Sequence, residues 1–297
     1  MSTTSVPRSL VSTLVEAAVT APSLHNAQPW RFVHRAASGT VELHGEPAPR
    51  EPDRRALHLA CGAALFGLRA AAAQEGVRAG VELLPDPADA WHLADVRLDG
   101  SGDPAPQADP ADGAGAAYDG LAELAPALHE RHAGRTPFTD ERVPPELLDG
   151  LGASALIEGG RLVLPGGLPE ESVRELVRAS GAFEATDGAA GQSFEEHPQL
   201  ALLGTSGDTP ADRLRAGQAM QRVLLQATLD GLSSSVLSPP EAWPGTWPDG
   251  ADGAAGDARA ATGPPTGRVQ VLVRFGYGPR SPVAPRRPVT EVLSFAD

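Results

Sequence analysis

Lysine is absent from this 297-residue chain, so its 24 basic side chains are all arginine, set against 38 acidic ones. The resulting formal charge of −14 repels nucleic-acid backbones and anionic lipid surfaces, which argues against nucleic-acid or membrane partners. A local arginine cluster can still hold one small anion. Cysteine is nearly absent too: Cys61 alone excludes a disulfide scaffold and any cysteine metal site, and inside an Ala-rich helix it reads as a small buried hydrophobe. No uncharged apolar run approaches the roughly 18–20 residues of a bilayer span. Met1–Arg8 has no apolar signal core, so the expected location is the cytoplasm. The chain has no Walker loop, no nucleophile elbow, no His-Glu-x-x-His, and no Gly-x-Gly-x-x-Gly opening a helix after a strand, which disfavours a Rossmann nucleotide fold. His129 and His132 sit three apart on a predicted helix but lack carboxylate or cysteine ligands at metal spacing, so no metal is expected. What remains is a globular composition, 41% hydrophobic and rich in Ala, Gly, Pro and Arg, with enough apolar residues for a core.

Leu10, Val11, Leu14, Val15 and Ala18 recur at helical spacing and predict a helix over about 7–20, stopped by Ala21-Pro22. Strands follow at Trp30–His34 and Thr40–Leu43, then a long Ala-rich helix, Ala56–Glu75, closed by Gly76. Further strands are predicted at Val81–Leu84 and Trp91–Leu98. Asp99–Gly120 has linker composition. Helices are expected at Leu121–His132, Pro145–Leu151 and Pro169–Ser180, and a strand at Arg161–Leu164. A second long helix, Ala211–Asp230, is closed by Gly231, and a strand runs Val269–Phe275. One constant offset aligns Gly62 with Gly217, Ala64 with Ala219, Ala72 with Ala227, Gly76 with Gly231 and Pro85 with Pro240. That pattern suggests a duplicated α+β unit whose two central helices share one core.

The segment Ala21-Pro22-Ser23-Leu24-His25-Asn26-Ala27-Gln28-Pro29-Trp30-Arg31-Phe32 concentrates polar side chains between a helix end and a strand start. Ser23, Asn26 and Gln28 could line the edge of a polar ring, or could simply cap a turn with Trp30 as core filler. Arg131 and Arg135, four apart at a predicted helix end, would fall on one face and could hold a phosphate, as could Arg286 and Arg287 in Pro285-Arg286-Arg287-Pro288. Surface ion pairs with acids such as Glu130 and Glu141 are the plainer reading. Ser234 and Ser235 lie in the serine-rich stretch after Gly231, where small side chains would let a flat ligand approach the backbone.

On residues 21–32 the chain resembles the flavin-dependent nitroreductase family, in particular its Acg-like branch of fused, single-chain pseudo-dimers. Further matching stretches are Cys61-Gly62-Ala63-Ala64-Leu65, Leu84-Pro85-Asp86-Pro87, Leu214-Arg215-Ala216-Gly217-Gln218-Ala219, and Arg274-Phe275-Gly276-Tyr277-Gly278 leading to Pro285-Arg286-Arg287-Pro288. The resemblance implies an α+β, nitroreductase-like fold: two pseudo-repeated halves, 1–100 and 121–297 with a linker at 101–120, packed around a central helix pair with mixed sheets. It implies one FMN site per chain, with Ser23, Asn26 and Gln28 from the first half and Arg131, Arg135, Ser234, Ser235, Arg286 and Arg287 from the second. Flavin carries the redox chemistry in such proteins, so no catalytic side chain is assigned. The implied activity is hydride transfer from NAD(P)H through FMN to a small organic acceptor, of nitroaromatic or quinone type, or a pathway-specific dehydrogenation. The expected partner is a small-molecule substrate, and the expected state a monomer with an internal pseudo-dimer or a higher oligomer. Two other roles are implied: a non-enzymatic FMN-binding or flavin-sequestering protein, and a flavin-free scaffold. The family's Arg-Arg-Thr-Asn-Arg run reads Arg131-His132-Ala133-Gly134-Arg135 here, its Ser-Gln-Pro-x-Glu loop reads Ser238-Pro239-Pro240-Glu241, and the segment between Ser180 and Ala201 is short.

Overall fold

The computed structural model describes residues 6–46, 54–99, 120–134, 136–164, 171, 175, 177–178, 180–182, 195, 197–239, 267–279 and 284–296. Arg135, residues 101–119 of the expected linker, Pro240, Glu241 and most of the expected helix Pro169–Ser180 lie outside the described residues.

Helix α1 (Arg8–Ala18) buries Val11, Leu14, Val15 and Ala18, the stripe its spacing predicts. Strands β1 (Trp30–Arg35) and β2 (Thr40–Gly45) lead to the long helix α2 (Arg54–Gln74), followed by β3 (Arg78–Leu83) and β4 (His92–Asp99). Two short helices, α3 (Leu121–Leu124) and α4 (Ala127–Glu130), precede α5 (Pro145–Ile157), β5 (Arg161–Val163), β6 (Gly181–Ala182) and β7 (Gln199–Thr205). The second long helix, α6 (Pro210–Leu229), carries a full capping box between Thr209 and Asp212. The chain continues through β8 (Ser233–Ser238), β9 (Arg268–Gly276), α7 (Val289–Val292) and β10 (Leu293–Ala296).

The two five-stranded sheets run β10-β1-β2-β4-β3 and β5-β7-β9-β8-β6. Without their outer strands β10 and β6 they have the same plan: β1-β2-β4-β3 with α1 and α2 corresponds to β5-β7-β9-β8 with α5 and α6. The offset that aligns Gly62 with Gly217 also superposes the helix ends bond for bond. Val77 N–H donates to Ala72 C=O and Leu232 N–H to Ala227 C=O, each at 2.8 Å, while Gly76 and Gly231 take φ of 68° and 77°. The left-handed residue ends each helix and turns the chain directly into a strand.

Helices α2 and α6 pack against each other at the center of the molecule, and their crossing is set by two glycines. A Cβ on Gly62 would strike the Leu214 carbonyl and lie 3.1 Å from Gly217 Cα; a Cβ on Gly217 would strike the Leu59 carbonyl and lie 2.9 Å from Gly62 Cα. Leu59 and Leu214 are themselves related by the same offset, so the contact is reciprocal, as across the two-fold axis of a dimer. Helix α2 is long and apolar enough to cross a membrane, but 89% of its apolar window is buried inside the protein. Two ion-pair clusters also bridge the halves. Arg55 at the start of α2 meets Asp208 at 2.6 Å, and Arg69 on α2 meets Glu158 at 2.6 Å.

Two expectations are corrected. The helix expected at Leu121–His132 is broken at Ala125-Pro126 and ends at Glu130, because Pro126 has no N–H to continue the first helix. Arg131 is therefore in extended conformation (φ −68°, ψ 127°), not on a helical face four residues before Arg135. The serine-rich stretch after Gly231 is strand β8, with Ser234 and Ser235 buried.

Candidate functional site: two arginines at the end of the first helix

The 20–28 segment is built from backbone that most side chains resist. His25, Asn26 and Gln28 all have positive φ, at 50°, 55° and 49°. Three left-handed non-glycine residues in four positions cost about 1–3 kcal/mol each, and persist only where their surroundings fix them. Two overlapping turns do this: Asn26 N–H donates to Ser23 C=O and Ala27 N–H to Leu24 C=O, each at 3.0 Å. Ser23 is fully buried, and its Oγ accepts from Gln28 N–H at 2.9 Å. Its role is turn closure, and Trp30, fully buried, anchors the start of β1.

This turn holds a segment 260 residues away in sequence. Asn26 Nδ2 and Gln28 Nε2 both donate to the Pro285 carbonyl, at 2.9 and 3.3 Å. Gln28 Oε1 accepts from Arg287 N–H at 2.8 Å, and Asn26 Oδ1 accepts from Arg286 Nη1 at 3.2 Å. The two amides thus work as a clasp on residues 284–287. They are already engaged with protein atoms, and their chemistry is to place the arginines.

Arg286 and Arg131 then meet at one acceptor. The Thr20 carbonyl, just beyond the C-terminus of α1, accepts from Arg286 Nη2 and from Arg131 Nη2, each at 3.0 Å. Carbonyls at a helix C-terminus carry partial negative charge, which offsets part of the repulsion between the two cations. Arg131 is buried and Arg286 half-buried. Arg287 faces Glu46 at 3.5 Å and Glu291 at 3.7 Å.

The strand leading out of Arg131 is locked from below. Gly134 N–H donates to Ser234 C=O at 2.7 Å, and Ala133 bridges Ser234. Arg274 of β9 is 1% exposed; its guanidinium donates to Glu195 Oε2 at 2.5 Å and to the Gly134 and Thr136 carbonyls at 3.3 and 3.4 Å. It also lies 4.2 Å over the Phe138 ring. Burial pulls the Arg274 guanidinium below its ordinary value, and the Glu195 charge works against that shift. Phe138 occupies a slot walled by glycines. A Cβ on Gly276 would be 2.8 Å and one on Gly278 2.9 Å from Phe138 atoms, and one on Gly134 would strike the ring. Glu195 and Phe138 were not among the candidate residues. The available signal was Arg274 beside Gly276 and Gly278, a cation next to two residues without side chains.

Of the predicted site residues, Asn26, Gln28, Arg131, Arg286 and Arg287 converge. Ser234 joins them through the Gly134 backbone. Ser235 pairs in register with Arg274, one residue further along β8. The donor chemistry suits a phosphate ester: two guanidinium groups at one point, a turn beside them in which His25 is exposed, and amides that fix the spacing.

A family model described as "Nitroreductase family" matches residues 2–42, which cover α1, the strained turn and β1. Two relatives from Mycobacterium tuberculosis (strain ATCC 25618 / H37Rv) align over nearly the whole chain. "Putative NAD(P)H nitroreductase Rv3131" is 29% identical over 339 residues, covering 97% of this chain and 92% of the relative. "Putative NAD(P)H nitroreductase acg" is 28% identical over 356 residues, covering 99% and 98%. Both alignments are longer than this chain, which therefore lacks segments its relatives have. A solved structure of a nitroreductase-like family protein from Bacillus cereus matches with 19% identity and a TM-score of 0.37, covering 57% of this chain and 92% of the other. The chain is thus similar to the nitroreductase family at residues 2–42, and the relatives it aligns with over nearly its full length include one named acg, the branch that residues 21–32 pointed to.

Proposed function

We propose that this chain is an FMN-dependent oxidoreductase that moves hydride from NAD(P)H to a small organic acceptor of nitroaromatic or quinone type. The observation that carries the reading is the convergence of Arg131 and Arg286 on the Thr20 carbonyl, beside a strained turn in the region where the nitroreductase family model matches. FMN, when bound, supplies the hydride chemistry, so the protein need only bind, orient and tune it. Arg131 and Arg286 would hold the phosphate, with Arg135 a further candidate from the sequence. Asn26 and Gln28 act as positioning residues that fix the arginine-bearing segment. Arg287 anchors that segment through Gln28 and Glu46.

The same reading takes the two halves, 1–100 and 121–297, as one pseudo-dimer with one site. It takes a small molecule as partner and the cytoplasm as location, with α2 as a core helix.

The deciding experiment is a visible spectrum of the purified protein followed by anaerobic NADPH. A flavin spectrum that bleaches supports the oxidoreductase. Arg286→Ala should weaken FMN retention about tenfold to a hundredfold, the value of a hydrogen bond to a charged group. Unchanged retention in both Arg286→Ala and Arg131→Ala refutes the phosphate assignment. One observation favours a second reading: the Asn26 and Gln28 amides are bonded to residues 285–287 rather than turned outward. A flavin that stays oxidized under NADPH supports that reading, a flavin-sequestering protein, and a protein that FMN cannot colour removes both.

A further inference from the structure

On the face of the first sheet opposite the buried Val41 and Leu43, β2 and β4 bring together side chains that helical metal spacing does not reveal. Glu42 and His44 are two apart on β2 and share a face. Across the pair, Asp95 is in register with Glu42 and His92 with His44. In a regular strand His92 and Asp95, three apart, would point to opposite faces. The register shift at Leu43/His44 takes up the extra residue and puts His92 beside His44. Bulges of this kind re-aim side chains and are common beside functional sites.

The geometry points to a divalent transition-metal site of zinc type on Glu42, His44 and His92. One ligand atom from each of these residues lies within 4.8 Å of those of the other two. Glu42 Oε2 and His44 Nε2 are 3.1 Å apart, close to the roughly 3.3 Å between adjacent ligands of a tetrahedral ion with bonds of about 2.0–2.1 Å. The His44 and His92 rings stack at 4.6 Å and 17°, which keeps the two imidazoles side by side. His92 Nε2 is 2.7 Å from Asp95 Oδ1, and while that contact is kept Nδ1 is the nitrogen free to coordinate a metal. A carboxylate behind a ligating histidine is the usual way its tautomer and orientation are fixed. The three ligands are 13–14% exposed, shielded enough for a metal to compete with water. Arg35 binds both oxygens of Glu42, Nε donating to Oε1 at 2.7 Å and Nη2 to Oε2 at 3.1 Å, and is itself 46% exposed, so a metal on Oε2 displaces the Nη2 bond toward solvent. Two nitrogen ligands and one carboxylate leave a fourth position for water. A metal there ties β2 to β4 beside the bulge.

The test uses the full chain without an affinity tag, stripped by a chelator and titrated with Zn²⁺ against a chromogenic competitor. One saturable site per chain is expected, with a higher melting temperature when it is filled. His44→Gln and His92→Gln should each weaken binding at least tenfold, and Asp95→Asn about tenfold by releasing the His92 ring. His129→Gln/His132→Gln should bind as the parent does. Co²⁺ added to the parent protein should give the intense visible bands of a low-symmetry nitrogen-oxygen site, which decides the matter even if a variant fails to fold. Absence of saturable Zn²⁺ binding, equal binding by the histidine variants, or a Co²⁺ spectrum identical to that of the hydrated ion overturns the proposal and leaves two carboxylate–histidine pairs.

Discussion

Replacing Gly62 by alanine tests the crossing of the two central helices. Alanine is the better helix former by about 1 kcal/mol, so on an isolated helix the change would stabilise. At the crossing, the new methyl strikes the Leu214 carbonyl and lies 3.0 Å from that carbonyl's carbon and 3.1 Å from Gly217 Cα. All of these obstacles are backbone, so no side chain can turn aside and the helices must separate. Overpacking of a close-packed core costs about 1–3 kcal/mol even where side chains can adjust. With no such adjustment open here, the net expectation is about 2–3 kcal/mol of destabilisation. Gly217→Ala meets the Leu59 carbonyl in the same way and should cost the same. Because either methyl already spreads the helices, the double variant should lose less than the two single losses together. The control is Gly76→Ala, with φ 68° and nothing within 4 Å, which should cost only the left-handed penalty of about 1–2 kcal/mol. Urea unfolding followed by circular dichroism measures all four. A Gly62→Ala protein within about 0.5 kcal/mol of the parent, or strictly additive losses, would refute the reasoning.

Two further predictions concern buried charge. Glu195→Gln removes the negative partner of Arg274 inside the protein; breaking such a pair from one side costs about 3–5 kcal/mol and should loosen the 131–138 segment and with it FMN retention. A urea midpoint unchanged from the parent would contradict it. At Asp208, burial pushes the carboxyl up, but bonds from Arg213, Arg55 and Gln270 outweigh this and hold it well below the usual carboxylate range. Folded Asp208 thus stays ionised where the unfolded residue, at about 3.9, takes up a proton, so its contribution is present above about pH 4 and is lost as pH falls further. Unfolding free energies measured between about pH 5 and pH 3 should fall less steeply for Asp208→Asn than for the parent; parallel slopes would count against the assignment.

The parts of the fold legible in the sequence are those whose pattern is local. The α1 stripe, the Ala21-Pro22 stop, the two long helices and their closing glycines each carry their own signal, and the matched offset exposed the repeat. Strands fixed by their neighbours were not legible. Leu293–Ala296 is a strand only through its parallel pairing with β1. At the site, the 21–32 segment announced polar side chains but not their direction. Asn26 and Gln28 read as either ligand-facing or turn-capping, and in the structure they clasp Pro285, Arg286 and Arg287. That outcome depends on a contact 260 residues away in sequence, which no window along the chain contains. The Glu195–Arg274–Phe138 lock was hidden for the same reason.

The parallel pairing of β10 with β1 also has a consequence for synthesis. Phe32, paired with Leu293, leaves the ribosome early, whereas Leu293 follows the other described strands. Until then the β1 edge offers unpaired backbone groups to any extended segment nearby. The arginines of the 284–287 segment arrive just ahead of β10, so the sheet edge is covered and Arg286 joined to Arg131 at the Thr20 carbonyl in one late event. A ribosome stalled before residue 284 would hold a chain with both central helices made but neither the edge protected nor Arg286 in place, a species prone to association.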